Sequence, residues 1–349
     1  MPPRDVPKTV VITGASSGIG RATAHAFARR GASLVLAARR AEMLEEAVRE
    51  CAELGGTAIA VPTDVTQEEQ VEALSQRALQ RFGRFDAWFN NAGIAAFGRL
   101  ESIPMEAWRR VIETNLFGYV HGAKVAMRQF RRQGHGVLVQ NASIVGRTAK
   151  PDGTPYASSK FAIRGFSEAL RQEVLDQPEI QICTVLPSVI DTPFFHHAAN
   201  YSGRSVRAAP PVYAPEEVAE TVLELVDHPQ AEVIVGGFGK LAAVQERIAP
   251  TFSTWMTGRT LHAGFLSETP SADTSGALFE SWPDGMGVTG GWRENPESGG
   301  PPLAALTSLA AWPIDFATMA LRMADASLAA VARMLEMLAP AAKPGPVSK

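Results

Sequence analysis

Between Lys8 and about Gly237, short β-branched or aliphatic runs alternate with longer segments of helical period. That alternation is the pattern of βα units around a parallel sheet, and it restricts the chain to the α/β class. Strands are read near Thr9–Thr13, Ser33–Ala38, Thr57–Val61, Ala87–Asn90, Gly136–Asn141, Gln181–Leu186 and Glu232–Val235. Val10-Val11-Ile12, Leu34-Val35-Leu36 and Val137-Leu138-Val139 are continuously apolar, as strands are when helices cover both faces of their sheet. Amphipathic stretches such as Gln67–Phe82 and Pro215–Val226 lie between them. The second opens on proline with Glu216 and Glu217 in its first turn, a helix start.

At 349 residues with 46% hydrophobic and 20% charged side chains, the chain can bury a sizeable core. A net charge of -3 gives no general attraction to polyphosphate, so no nucleic-acid partner is expected. Cys51 and Cys183 stand far apart without zinc-ligand spacing, and both read as buried small hydrophobes. The first residues lack the apolar run of a signal peptide, so a cytoplasmic location is expected.

Three segments follow from composition: a catalytic and nucleotide-binding domain over 1–264, an irregular Gly/Pro-rich arm over 265–302, and an apolar helix with a tail over 303–349. The arm holds Trp282 and Trp292 as isolated apolar points and has little core of its own. In the helix Pro313–Leu338 the side chains Asp315, Arg322, Asp325, Arg333 and Glu336 share a sector of roughly 80°, and the rest of the circumference is apolar. Arg322 and Asp325 would sit mid-bilayer in a spanning helix. The narrow mixed-charge stripe favours packing on the same domain or on a second subunit, hence a homo-oligomer, over peripheral membrane attachment.

Directly after the first strand comes Thr13-Gly14-Ala15-Ser16-Ser17-Gly18-Ile19-Gly20, which runs into a helix closed by Gly31. Glycines let the backbone approach a pyrophosphate, and the helix N-terminus offers it free N–H groups and a positive dipole end. Asp64, Asn90-Asn91-Ala92-Gly93, Asn115, Ser143 and Tyr156-Ala157-Ser158-Ser159-Lys160 follow in order. Together these motifs resemble the short-chain dehydrogenase/reductase family over about residues 8 to 240. The resemblance implies a Rossmann-type doubly wound sheet of seven parallel strands in the order 3-2-1-4-5-6-7. The nucleotide would lie across its carboxyl ends.

The second strand ends on Ala38, where an acidic residue would hold a free ribose 2'-OH, and Arg39 follows. A guanidinium pairs with phosphate, and Ser17 adds a hydroxyl as in NADP-dependent relatives, so the site favours NADP(H) over NAD(H). The resemblance further implies that Gly14, Ser16, Ser17, Gly18, Ile19 and Gly20 cradle the phosphates, that Asp64 and Val65 meet the adenine, and that Asn91 and Gly93 line the ribose side.

Tyr156 and Lys160, four apart on a helical segment, share one face. An adjacent ammonium favours the phenolate and should lower the phenol toward useful values. The family's tyrosine donates its proton to a carbonyl during reduction or removes it from an alcohol during oxidation, and the lysine holds the ribose hydroxyls. Ser143 is expected to hydrogen-bond the reacting oxygen. Asn115 matches the helix-kinking asparagine that holds a water beside the lysine; a buried amide satisfying backbone is the alternative.

In Leu186-Pro187-Ser188-Val189-Ile190-Asp191-Thr192, Ser188 replaces the family's glycine, which leaves the local backbone angles open. Val189 and Thr192 are expected at the nicotinamide. Pro193–Pro211 is read as a substrate lid, whose Phe194, Phe195 and Tyr201, with Phe97, suit an apolar substrate body. His196 and His197 have no third ligand in sight, and no metal is expected. The expected function is an NADP(H)-dependent oxidoreductase acting on the carbonyl/secondary alcohol of a mainly apolar small molecule. Ser143, Tyr156 and Lys160 argue against the alternative, a non-catalytic NADP(H)-sensing scaffold on the same fold.

Overall fold

The computed structural model of the protein describes residues 8–248, 251, 264–281 and 287–294. The helix expected over Pro313–Leu338 and the arm residue Trp282 lie outside the described residues.

The main sheet contains β1 (Thr9–Thr13), β2 (Ser33–Ala38), β3 (Thr57–Pro62), β4 (Ala87–Asn90), β5 (Gly136–Asn141), β6 (Ile180–Pro187) and β7 (Glu232–Val235). Its seven strands run in the order β7-β6-β5-β4-β1-β2-β3, and every pairing is parallel. The Rossmann-type order expected from the resemblance is therefore the one found.

Alternate residues of each strand feed two cores, as period-two geometry requires. Val10, Ile12, Leu34, Leu36 and Val139 pack under α1 (Gly18–Ala28), α2 (Ala41–Glu53) and the helix Pro215–Asp227. Val11, Val35, Trp88, Leu138 and Ile182 pack under α3 (Glu68–Phe82), the helix Gly118–Gln133 and the helix Thr154–Glu173. Numbered in chain order after α4 (Met105–Ile112), these last are α5 and α6, and Pro215–Asp227 is α7. Both cysteines are buried, and burial pushes the Cys51 thiol up to about 12 and Cys183 up to about 11.

Three features depart from the sequence reading. A helix, α8 (Gly237–Ile248), follows β7 where only a change of composition was evident. The lid is not a free loop. Ala199–Asn200 pairs with Ala96–Phe97, Val212–Tyr213 pairs with Val189–Ile190, and Arg204–Val206 pairs antiparallel with Leu266–Pro270 of the arm. The arm also has buried anchors: Phe265 joins the aromatic cluster of the lid, and Leu278 packs with Ile103 and Val111. No helix among the described residues is long and apolar enough to cross a membrane.

Candidate active site

The turn after β1 is forced by close approach. Gly14 has φ of +67°, and a Cβ at Gly20 would lie 2.2 Å from the Gly14 carbonyl. The Asn91 amide donates to the Thr13 and Gly14 carbonyls at 2.9 and 3.2 Å and accepts from Asn141 at 2.8 Å. Its side chain thus ties the glycine turn to β5.

A cavity of about 720 Å³ follows the carboxyl edge of the sheet past Gly14, Ser16, Ser17, Gly18 and Ile19. It continues past Arg39, Asp64, Val65, Asn91 and Gly93 to Ser143, Tyr156, Lys160, Val189 and Thr192. Gly20 and Asn115 are not on its wall; Gly20 packs helix against turn.

At the end of the cavity lined by Arg39 and Asp64 the arm has docked. Arg39 donates to the Ala277 carbonyl at 2.8 Å and to those of Leu278, Phe279 and Glu280 at 3.4 Å. Arg110 donates to the Leu278 carbonyl at 3.0 Å and pairs with Asp64 at 2.8 Å. Burial works against the Asp64 carboxylate, but the Thr66 N–H and Arg110 hold its pKa below the ordinary value. The Gly18 N–H, at the mouth of α1, donates to the Gly287 carbonyl at 3.2 Å. Further along, Asp191 accepts from the N–H groups of Gly290, Trp292 and Arg293 at 3.0, 2.9 and 3.3 Å. His196 stacks on Trp292 with ring centroids 4.2 Å apart.

At the reacting end, β5 delivers Ser143, α6 carries Tyr156 and Lys160, and a π-helical turn, Glu113–Phe117, carries Asn115. The Asn115 amide bonds the N–H and carbonyl of Ile94, both at 2.9 Å, and donates to the Ser159 hydroxyl at 3.0 Å. The backbone-satisfying alternative is what this side chain does. Lys160 Nζ donates to the Asn141 carbonyl at 2.7 Å and lies 5.5 Å from the Tyr156 ring centroid.

The ionisation differs from the sequence expectation. Burial pushes the Tyr156 phenol up to about 12, against the pull of the Ser143 hydroxyl. Burial also brings Lys160 down to about 7. In the dinucleotide-free cleft, desolvation of both groups outweighs the lowering expected from the neighbouring ammonium.

Ser188 needs no unusual backbone: among the described non-glycine residues only Asp152 has a positive φ. A Cβ at Gly236 or Gly239 would fall 2.7 or 2.4 Å from the Ser188 hydroxyl, so those glycines make room for it.

Past Tyr156 the cavity is aromatic. Tyr156, Phe194 and Phe195 follow one another at 5.5 Å steps, and Phe195 lies 6.4 and 6.0 Å from Phe97 and Phe265. Phe238, Leu241, Ala242 and Gln245 of α8 form another stretch of wall. These α8 residues, Arg110, Lys150 and the arm were missed in the sequence. The α8 residues and the arm reach the site from distant segments, and no local motif marks Arg110 or Lys150.

The short chain dehydrogenase family model matches residues 8–201. The uncharacterized oxidoreductase YxnA of Bacillus subtilis is 34% identical over 294 residues, 82% of this chain and 83% of that protein. The putative oxidoreductase SadH of Mycobacterium tuberculosis is 33% identical, covering 69% of this chain and 90% of its own. An alcohol dehydrogenase from Thermococcus sibiricus, solved with 5-hydroxy-NADP, superposes with a TM-score of 0.58 at 33% identity. That match covers 66% of this chain and 96% of the archaeal one. A short-chain dehydrogenase/reductase from Burkholderia phymatum, in complex with NAD, gives 0.62 at 27% identity over 69% and 95% of the two chains.

Proposed function

The chain belongs to the short-chain dehydrogenase/reductase family, and on that premise we propose that it transfers hydride between NADP(H) and the carbonyl/secondary-alcohol pair of a small molecule with a mainly apolar body. The carrying observation is that the glycine turn, Ser143, Tyr156, Lys160 and an aromatic wall all border one cavity. The tight turn at Gly14, with Gly18 at the mouth of α1 on the same wall, fits a dinucleotide.

When bound, the dinucleotide supplies or accepts the hydride. Gly14, Ser16, Gly18 and Ile19 would hold its phosphates, Lys160 its ribose hydroxyls, and Val189 and Thr192 its nicotinamide end. Arg39 lines the cavity, and a guanidinium is a bidentate partner for a 2'-phosphate; its donors are held by four arm carbonyls, which the phosphate would have to replace. Ser17 makes no side-chain cap bond to α1 and is free to add its hydroxyl.

Tyr156, kept protonated by burial, is in the form that donates to a carbonyl oxygen during reduction. Ser143 stabilises charge developing on that oxygen. Lys160, with a pKa of about 7, exchanges protons near neutrality beside it. Asn115 acts as a positioning residue: it fixes the Ile94 backbone and the hydroxyl of Ser159, next to Lys160.

Nicotinamide absorbance, followed with aryl and alicyclic ketones, tests this reading. NADPH should exceed NADH in kcat/KM by at least about tenfold, and Arg39→Ala should abolish the difference. Preference for NADH would overturn the cofactor assignment. Turnover no greater than that of Tyr156→Phe would favour a dinucleotide-binding module.

A further inference from the structure

Lys150 is a lysine that the proton chemistry does not use. It lies between the Ser143 turn and α6, is 7% exposed, and borders the same cavity as Tyr156. Its Nζ sits over two rings of the aromatic wall, 4.3 Å from the Phe97 centroid and 4.5 Å from that of Phe265. The ring faces stabilise a cation. They leave its hydrogen-bonding capacity unfilled, and among the described residues Nζ has no hydrogen-bond partner. Burying an amine with three unused donors is costly, and a ligand acceptor that pairs with it removes that cost.

The placement also gives a direction. Rings follow one another from Tyr156 through Phe194 and Phe195 to Phe97 and Phe265, and Lys150 stands over the last two. Thr148, on the same wall, contributes a buried hydroxyl that likewise has no partner among the described residues. An apolar pocket with a few polar groups at one end orients a ligand that is apolar along its body and polar at one tip.

We propose that Lys150 is the anchor for an anionic group of the substrate, so that the substrate class is a ketone or secondary alcohol with an aromatic or alicyclic body and a carboxylate remote from the reacting carbon. This deepens the reading of the site as a carbonyl/alcohol oxidoreductase and rests on it. Burial brings the Lys150 amine down to about 7, against the weaker pull of Asp152 toward the charged form. An incoming carboxylate would restore the charge.

The test is calorimetric titration of the full chain, saturated with NADP+, with (4-acetylphenyl)alkanoic acids of increasing tether length and with their methyl esters. Ketone and oxidised cofactor cannot react, so binding is read without turnover. In the wild type the best acid should bind at least about tenfold more tightly than its ester. Lys150→Met should bring the pair to within about twofold, and replacing a buried charge by an apolar side chain of similar length should leave the fold intact. Equal binding of acid and ester by the wild type, or a preference that survives Lys150→Met, overturns the proposal. Turnover with NADPH is scored separately. Tight acid binding without reduction would strike the hydride-transfer reading and leave Lys150 standing, whereas reduction of acid and ester alike with no binding preference would strike Lys150 alone.

Discussion

Burial sets the ionisation of Tyr156 and Lys160, the phenol rising to about 12 and the amine falling to about 7. A phenol held neutral suits the acid's role in ketone reduction, and its loss should be felt in chemistry more than in binding. Tyr156→Phe is expected to lower kcat by about 10²- to 10⁴-fold while the Kd for NADPH, measured by fluorescence titration, changes by less than about threefold. Ser188 makes a second residue-level test, because its hydroxyl occupies the space where a Cβ at Gly239 would lie, 2.4 Å away. Gly239→Ala should cost about 1–3 kcal/mol by urea denaturation. In a Ser188→Gly background much of that cost should disappear, giving a coupling of about 1 kcal/mol or more. Additive effects would mean that the two positions do not share this space.

Asp191 fastens the last described stretch of the arm, accepting three backbone N–H groups from Gly290, Trp292 and Arg293. Asp191→Ala should remove the acceptor those donors share and release the arm, seen as faster limited proteolysis within residues 264–281 and 287–294 while residues 8–248 stay resistant. An unchanged cleavage rate would show that Phe265 and Leu278 suffice to hold it. The same element shows where sequence legibility ends. Strands such as Val10-Val11-Ile12 declare themselves because a sheet covered on both faces demands apolar runs, and Tyr156 and Lys160 because helical spacing makes them neighbours. The arm docks mainly through its backbone, offering carbonyls to Arg39 and N–H groups to Asp191, which leaves no periodicity to read. Lys150 was equally hidden. Its meaning depends on Phe97 and on Phe265, which is brought to it from the arm.

For the whole molecule, the buried groups together set how stability varies with pH. Lys150 and Lys160 have folded-state pKa values near 7, far below the 10.5 of a free lysine, so from pH 7 upward the unfolded chain holds more protons than the folded one. Stability therefore rises with pH over that range. The raised thiols Cys51 and Cys183 act in the opposite sense above pH 9, where the unfolded chain ionises first, and Tyr156 joins them above pH 10. Thermal denaturation of the dinucleotide-free protein should thus show Tm climbing between pH 7 and about 9 and then levelling or falling. Lys150→Met should flatten the climb, and a Tm that falls steadily from pH 7 would contradict the burial of these amines.

The assembled cleft stands or falls on whether hydride crosses it under the control of the Tyr156 phenol. The direct measurement is mass spectrometry of the alcohol formed from an aryl ketone with NADPH deuterated at C4 on the transferred face. The wild type should yield product with one deuterium on the carbinol carbon, and Tyr156→Phe should form that product at least about a hundredfold more slowly. Product without deuterium, or equal rates in the two proteins, would contradict the account.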